Sequence, residues 1–282
     1  MGNVRIVTDS TADLPRALVE QYGITVVPLR VHFGPEEYLD GVELSSEEFF
    51  QKLKTSPYHP KTSQPSPADF EAAYRRLLAE STDPIISIHI SHKLSGTIQS
   101  AQMAKTSIGE PDITLFDTLS ASMGIGVHVL EAAKAAHAGK SKEEILARLE
   151  HIRSHMEIVF AVDTLEFLYK NGRIGKAQVW IGTAMNVKPI LRLEDGEVVP
   201  HERLRGQNRV IPRLIELARA ALPPGATPHV LVVHGDVAAR ANELVSELRA
   251  ALGVAAIDSY VLGSVIGTNV GPGTLGVILW WD

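Results

Sequence analysis

Apolar positions in the first half of the chain come in short unbroken runs separated by stretches of helical period. Val4 to Thr8 is one such run and reads as a strand. Asp9-Ser10-Thr11 then opens a helix over Leu14 to Tyr22, with Pro15 in its first turn and Gly23 as its stop. Ile24 to Phe33 reads as the next strand. Ser45-Ser46-Glu47-Glu48 is a capping pattern that starts a helix near Phe49 to Leu53. Thr55 to Pro67 holds four prolines, which makes it an ordered loop rather than a helix or a central strand. The pattern then predicts a helix from Ala68 to Glu80, a strand from Ile85 to Ile90 and a helix from Gly96 to Ser107. A strand from Ile113 to Phe116 follows, then a long helix from Ser120 to Ala138 stopped by Gly139. Ser141-Lys142-Glu143-Glu144 caps a last helix running to His155. This βαβα succession predicts a parallel sheet with helices on both faces.

The second half changes character. Ile158 to Val162 is strand-like, Thr164 to Asn171 a short helix ending at Gly172, and Gln178 to Asn186 helical. Lys188 to Leu193 and Val198 to Leu204 form a hairpin about Glu194-Asp195-Gly196-Glu197. A helix over Asn208 to Ala221, a strand over His229 to His234 and a helix over Ala238 to Leu252 follow. Tyr260 to Val265 and Thr274 to Trp280 read as closing strands. The expectation is an α/β protein: an N-terminal parallel-sheet domain over 1–157 and a smaller α+β domain over 158–282, with the site between them.

Composition narrows the chemistry. A net charge of −6 provides no global field for nucleic acid or an anionic membrane. Without cysteine there is no disulfide, thiolate catalysis or cysteine-bound metal. No apolar run approaches the roughly 20 residues of a membrane span, and the opening M-G-N-V-R-I-V-T-D-S has no signal-peptide pattern. A cytoplasmic protein is expected, with no stable membrane insertion and at most transient membrane contact.

Several motifs could carry chemistry. Ser95-Gly96-Thr97 follows the Ile85–Ile90 strand and opens a helix, so its hydroxyls and amides could cradle a carboxylate or serve as a plain cap. It is neither G-x-S-x-G nor a Walker loop. In Thr62-Ser63-Gln64-Pro65-Ser66-Pro67, capping of the next helix accounts for Ser66 and Pro67 and leaves Thr62 and Ser63 unexplained. Gly271-Pro272-Gly273-Thr274-Leu275-Gly276 spells G-x-G-x-x-G, but only six residues follow it, so a dinucleotide fold has no room. A tight loop around Gly267 to Gly276 is expected instead. Asn171-Gly172-Arg173-Ile174-Gly175-Lys176 offers cations for an anionic partner, with Arg203 and Arg205 on the hairpin, or a helix C-cap, or both. His151/His155 and His89/His92 lack a third ligand, so no metal is expected. Ser95, His89 and Asp9 can be assembled on paper into a hydrolytic triad, although nothing in their spacing selects it.

Taken in order, V-T-D-S-T-A-D-L, T-S-Q-P-S, L-S-G-T, N-G-R-I-G-K and I-G-T-N-V-G-P-G-T-L-G resemble the DegV family from Val4 to the C-terminus. The resemblance implies a two-domain protein that binds one long-chain fatty acid and has no cofactor and no catalysis of its own. It would serve as the acyl-binding subunit of a bacterial fatty acid kinase system. Carried over, the carboxylate-binding hydroxyls are Thr62 and Ser95, beside Gly96 and Thr97, and the kinase-facing arginines are Arg173 and Arg205. Asn269 stands where the family usually has histidine, so a hydrogen bond is retained there but no cation. Residues from Ala121 to Ala133, Val179-Trp180-Ile181 and Met185-Asn186-Val187 would wall the acyl tunnel, or equally form plain core. The competing readings are a serine-dependent acyl ester hydrolase using Ser95 and a phosphate or nucleotide binder on the glycine-rich loops.

Overall fold

The computed structural model describes residues 4–181 and 187–282. They divide into two compact units, 1–44 with 60–154, and 45–59 with 155–282. One break between the units falls at 154/155. The segment Ser45–His59, however, groups with the second unit, which is therefore about as long as the first rather than smaller.

In the first unit, β1 (Arg5–Asp9) leads through a 3₁₀ turn into α1 (Arg16–Tyr22) and β2 (Thr25–Val27). The helix starts two residues later than expected, because Asp13 is left-handed (φ 52°) and Pro15 restrains Leu14. The single strand expected over Ile24 to Phe33 is two strands in two sheets. Pro28 has no N–H for a ladder, so the chain leaves the first sheet after Val27 and enters another as β3 (Arg30–Phe33). β4 (Glu36–Leu39) returns beside it, helix α2 (Ser46–Thr55) follows in the second unit, and β5 (Lys61–Ser63) completes a small antiparallel sheet of order β4-β3-β5. The proline-rich loop thus contributes only an edge strand. Helix α3 (Pro67–Glu80) begins with Ser66 in a capping box and Pro67 in its first turn.

Strand β6 (Ile85–His89), α4 (Thr97–Ser107), β7 (Ile113–Asp117), α5 (Met123–His137) and α6 (Lys142–Ser154) complete the unit. The main sheet has the order β2-β1-β6-β7 and is parallel throughout. Val7, Ile85 and Ile113 pack with Phe70 and Tyr74 of α3 and Ala101 of α4. Helix α5 is buried nearly all round and approaches so closely that a Cβ on Gly126 would lie 2.8 Å from the Ala12 carbonyl. It also buries His128, whose Nδ1 donates to the Gly124 carbonyl (2.7 Å) while Nε2 has no partner among the described residues. Burial pushes this imidazole down from 6.5 to about 4. The unfolded chain therefore takes up the proton first, and stability falls as pH falls from 6.5 toward 4, by roughly 3 kcal/mol at about 1.4 kcal/mol per unit. Urea midpoints followed by circular dichroism should show this slope in the parent and a flatter one in His128→Leu; equal slopes would refute it.

The second unit contains β8 (Met156–Ala161), α7 (Glu166–Lys170), a 3₁₀ segment Gly175–Trp180, and the hairpin β9 (Val187–Glu194) and β10 (Glu197–Arg205). The helix expected over Gln178 to Asn186 is this 3₁₀ segment as far as Trp180; Gly182 to Asn186 lie outside the described residues. Helix α8 (Val210–Ala221), β11 (Pro228–His234), α9 (Ala238–Leu252), β12 (Asp258–Val261), α10 (Ser264–Val270) and β13 (Leu275–Trp281) follow. The sheet order is β10-β9-β8-β13-β11-β12, parallel only between β11 and β12. Val159, Val232 and Val277 pack under Leu214 of α8 and Leu244 of α9. The strand expected over Tyr260 to Val265 ends at Val261, and the expected loop from Gly267 is helical as far as Val270. Gly267 allows this, because a Cβ there would lie 2.7 Å from the Phe49 ring. Among the described residues no helix is long and apolar enough to cross a membrane.

Candidate functional site

The strand order of the parallel sheet reverses beside β1: the chain steps from β1 to β2 on one side, then to β6 and β7 on the other. In open α/β sheets a crevice for ligands opens at the carboxyl ends of the two strands flanking such a point. Here those strands are β1 and β6, ending at Asp9 and His89.

Asp9 and His89 are both fully buried. The Asp9 carboxylate accepts hydrogen bonds from the Thr11 amide (3.1 Å) and hydroxyl, the Ile90 amide (3.3 Å) and His89 Nδ1 (2.9 Å). His89 Nε2 faces Ser87 Oγ (2.7 Å), and Ser87 faces the Tyr74 hydroxyl (2.8 Å). Burial raises the Tyr74 hydroxyl above its ordinary pKa, so it stays protonated. The chain is a relay of aspartate, histidine, serine and tyrosine that ties the exits of β1 and β6 together. It also disposes of the paper triad: the ring nitrogen that would serve as base is occupied by Ser87, and Ser95 bonds elsewhere.

Beyond β6 the backbone turns through Ser91, whose carbonyl accepts from Leu94 N (3.0 Å) and Ser95 N (3.1 Å). The Ser95 hydroxyl pairs with Thr97 Oγ1 at 2.8 Å. Ser95 is therefore not the helix cap; Gly96 occupies that position and supplies no side chain, so the first amides of α4 receive no side-chain cap. A Cβ on Gly96 would run into the Gln64 side chain, which is held against α4 by a 3.0 Å bond from Nε2 to Ser100 Oγ. The turn L-S-G-T and the loop T-S-Q-P-S are thus packed on one another. Within that loop Ser66 caps α3 and Ser63 faces His32 Nε2 (2.9 Å). The Thr62 hydroxyl, half-buried, makes no hydrogen bond among the described residues. Hydroxyls of the type that holds a carboxylate are left available at Thr62 and at the Ser95–Thr97 pair, beside uncapped helix amides.

Sequence reasoning missed a third feature of this edge. Leu119 (φ 50°) and Ser122 (φ 54°) are left-handed after β7, as Asp13 is after β1, and Ser122 Oγ donates to Asp13 Oδ2 at 2.6 Å. Such conformations cost of order 1–3 kcal/mol each and gather at ligand sites. The opening D-S-T-A-D, with two carboxylates around small hydroxyls, was the available signal.

In the second unit, Asn269 lies in α10. Its Nδ2 donates to the Val265 carbonyl (2.8 Å), and its Oδ1 and the Thr268 hydroxyl are buried without partners among the described residues. The segment N-G-R-I-G-K closes α7: Gly172 is left-handed (φ 70°), and Arg173 N donates to the Leu168 carbonyl (2.9 Å). A Cβ on Gly175 would strike the Val198 carbonyl of β10, Lys176 pairs with Glu197 (3.5 Å), and the Arg203 guanidinium lies 5.4 Å over the Trp180 ring. The motif therefore lies on the hairpin that carries Arg203 and Arg205; Arg173 and Arg205 are exposed. Of the expected tunnel walls, the α5 residues Met123 to Val129 are buried, Val179 is 73% exposed, and Met185 and Asn186 lie outside the described residues. The G-x-G-x-x-G runs from a helix into a strand, the reverse of a dinucleotide site. No group of three metal-ligating side chains occurs among the described residues.

A family model described as "Uncharacterised protein, DegV family" matches residues 3–281. The chain is 36% identical over 277 residues to a DegV domain-containing protein of Caldanaerobacter subterraneus and 34% identical over 276 residues to the protein DegV of Bacillus subtilis, covering 98% of both chains in each case. A fatty acid binding DegV family protein from Thermus thermophilus shares its structure with a TM-score of 0.89 at 38% identity over the whole of both chains. DegV of Bacillus subtilis, described as a fatty acid binding protein, does so with a TM-score of 0.87 at 34% identity, again over both whole chains. With a matching model across nearly its full length and relatives this similar end to end, the chain belongs to the DegV family.

Proposed function

We propose that the protein binds one long-chain fatty acid and presents its carboxylate to a separate fatty acid kinase, forming no covalent bond itself. The observation that carries this reading is a set of polar groups that, apart from the bond between Ser95 and Thr97, the rest of the fold leaves unused. They are the Thr62 hydroxyl, the Ser95–Thr97 hydroxyl pair and the uncapped amides from Gly96 onward. The fatty acid binding described for the Thermus thermophilus and Bacillus subtilis structures supports the ligand class. Neutral donors hold a carboxylate without locking it in an ion pair, so an oxygen stays free to attack a phosphoryl group supplied, with its metal, by the partner. Exposed Arg173 and Arg205 suit a contact with that partner. The hydrolase reading has no support in this geometry, since neither a histidine nor a carboxylate is hydrogen-bonded to Ser95.

Solvent extraction of the purified protein followed by mass spectrometry is expected to release a long-chain acid in near-equal amount. Replacing Thr62 and Ser95 together by alanine should weaken its affinity by roughly 10- to 100-fold, at about 1 kcal/mol or more per lost bond to a charged group. The fold should survive, because neither hydroxyl caps a helix. Unchanged affinity in the double variant would remove the carboxylate assignment.

A further inference from the structure

Asn171 belongs to a motif whose cations have a reading but whose first residue has none. Its side chain is half-buried and faces two other elements of the second unit. One Nδ2 hydrogen points to the Thr268 carbonyl of α10 at 2.8 Å, and Nδ2 also lies 3.1 Å from His59 Nε2 at the end of the Ser45–His59 segment. Its backbone carbonyl accepts from Arg173 Nη1 at 2.6 Å, so the guanidinium is folded back onto Asn171. The surroundings leave little freedom. The His59 ring packs 5.4 Å from the Phe167 ring, and Phe167 lies where a Cβ on Gly271 would be, at the end of α10.

We propose that Asn171 is a positioning residue: by clasping α10 and His59 with its amide, it holds its own carbonyl where the Arg173 guanidinium is oriented for an anionic partner surface. This rests on the reading that Arg173 faces the kinase. An arginine free to sample its rotamers loses that freedom on docking, whereas one already held does not. Asn171 suits the clasp because its one amide nitrogen reaches two neighbours at once, the Thr268 carbonyl oxygen and the His59 ring nitrogen. Aspartate has the same shape and neither donor. The clasp also attaches Arg173 to the helix that carries Asn269, one residue after Thr268.

The test measures acyl phosphate formation by a bacterial fatty acid kinase subunit as a function of the concentration of the palmitate-loaded protein, with palmitate affinity measured separately. Asn171→Ala and Asn171→Asp should raise the KM for the loaded protein about tenfold, leave kcat unchanged and leave palmitate affinity within about twofold. His59→Leu should do the same, while His59→Gln, which places an amide oxygen near the Nε2 position, should behave as the parent. Combining Asn171→Ala with Arg173→Ala should be no worse than Arg173→Ala alone, because the first acts through the second. A raised KM for Arg173→Ala with an unchanged one for Asn171→Ala overturns the positioning role, as does a double variant whose effects multiply. An unchanged KM for Arg173→Ala overturns both the positioning role and the partner reading beneath it. The His59→Leu and His59→Gln pair keeps the test decisive if the Asn171 variants fold poorly, since His59→Gln failing like His59→Leu also counts against the clasp.

Discussion

Shortening the bound acid from about sixteen carbons to about eight is expected to weaken binding by at least roughly a hundredfold, far more than any single change to the polar site. Each buried methylene contributes about 0.8 kcal/mol, so removing eight forfeits roughly 6 kcal/mol gross. Tail ordering on binding offsets a large share, and about half that figure surviving still leaves some two decades of affinity. On the proposed reading, the hydroxyls of Thr62 and Ser95 would meet the same carboxylate in either case. Carboxylate recognition and tail burial therefore separate cleanly: alanine variants at those hydroxyls should weaken long and short acids by the same factor, and chain length should act independently of them. Titration calorimetry across a series of acids decides this. Equal affinity for both lengths would mean that the site reads only the carboxylate, and the protein would then be a small-anion binder.

Breaking the buried Asp9–His89 pair should destabilise the first unit by about 3–5 kcal/mol, the usual cost of leaving one member of a buried pair uncompensated. In Asp9→Ala, His89 Nδ1 and the Thr11 and Ile90 amides lose their acceptor inside a region with no exposure to water. His89→Ala leaves the carboxylate facing a cavity and Ser87 and Tyr74 without the end of their chain. Replacing Asp9 and His89 together by leucine should cost less than the sum of the single changes, since no unpaired charge remains. Urea unfolding must be followed by circular dichroism, because Trp180, Trp280 and Trp281 all lie in the second unit and tryptophan emission would report on that unit. A loss under about 1 kcal/mol for Asp9→Ala would mean the pair is not the fastening it resembles.

The elements that were legible in the chain are those whose signals are local. Ser45 with Glu48 announces a capping pattern and Ser66-Pro67 a helix start, and both are present. Gly23 closes α1 in the left-handed conformation that its place as a helix stop suggests. The run Ile85 to His89 is buried at every position, as a central parallel strand must be. What escaped notice has a non-local cause in each case. Helix α10 is made of serine, glycine, threonine, asparagine and branched residues, a composition with weak helical preference; its close packing on Phe49 and Phe167 holds it in place. The segment Ser45–His59 groups with residues more than a hundred positions away, and no feature of its own sequence says so.

The same distinction runs through the candidate site. By itself the sequence determined which hydroxyls could serve, because Thr62, Ser95 and Thr97 sit in motifs at strand and loop exits, and which chemistries were absent, because no cysteine, Walker loop or nucleophile elbow occurs. Only the tertiary structure decided which hydroxyls are already committed elsewhere in the fold. Ser66, Ser63, Ser87 and Ser100 carry the same group as Ser95, yet each is committed to a helix cap, a histidine or an amide. For Ser63 and Ser100 the neighbour that makes the claim, His32 or Gln64, lies more than thirty residues away along the chain. His89 adds a local case: its residue type allowed a triad on paper, and the alternation of β6 puts Ser87, two residues back on the same face, against its second nitrogen instead.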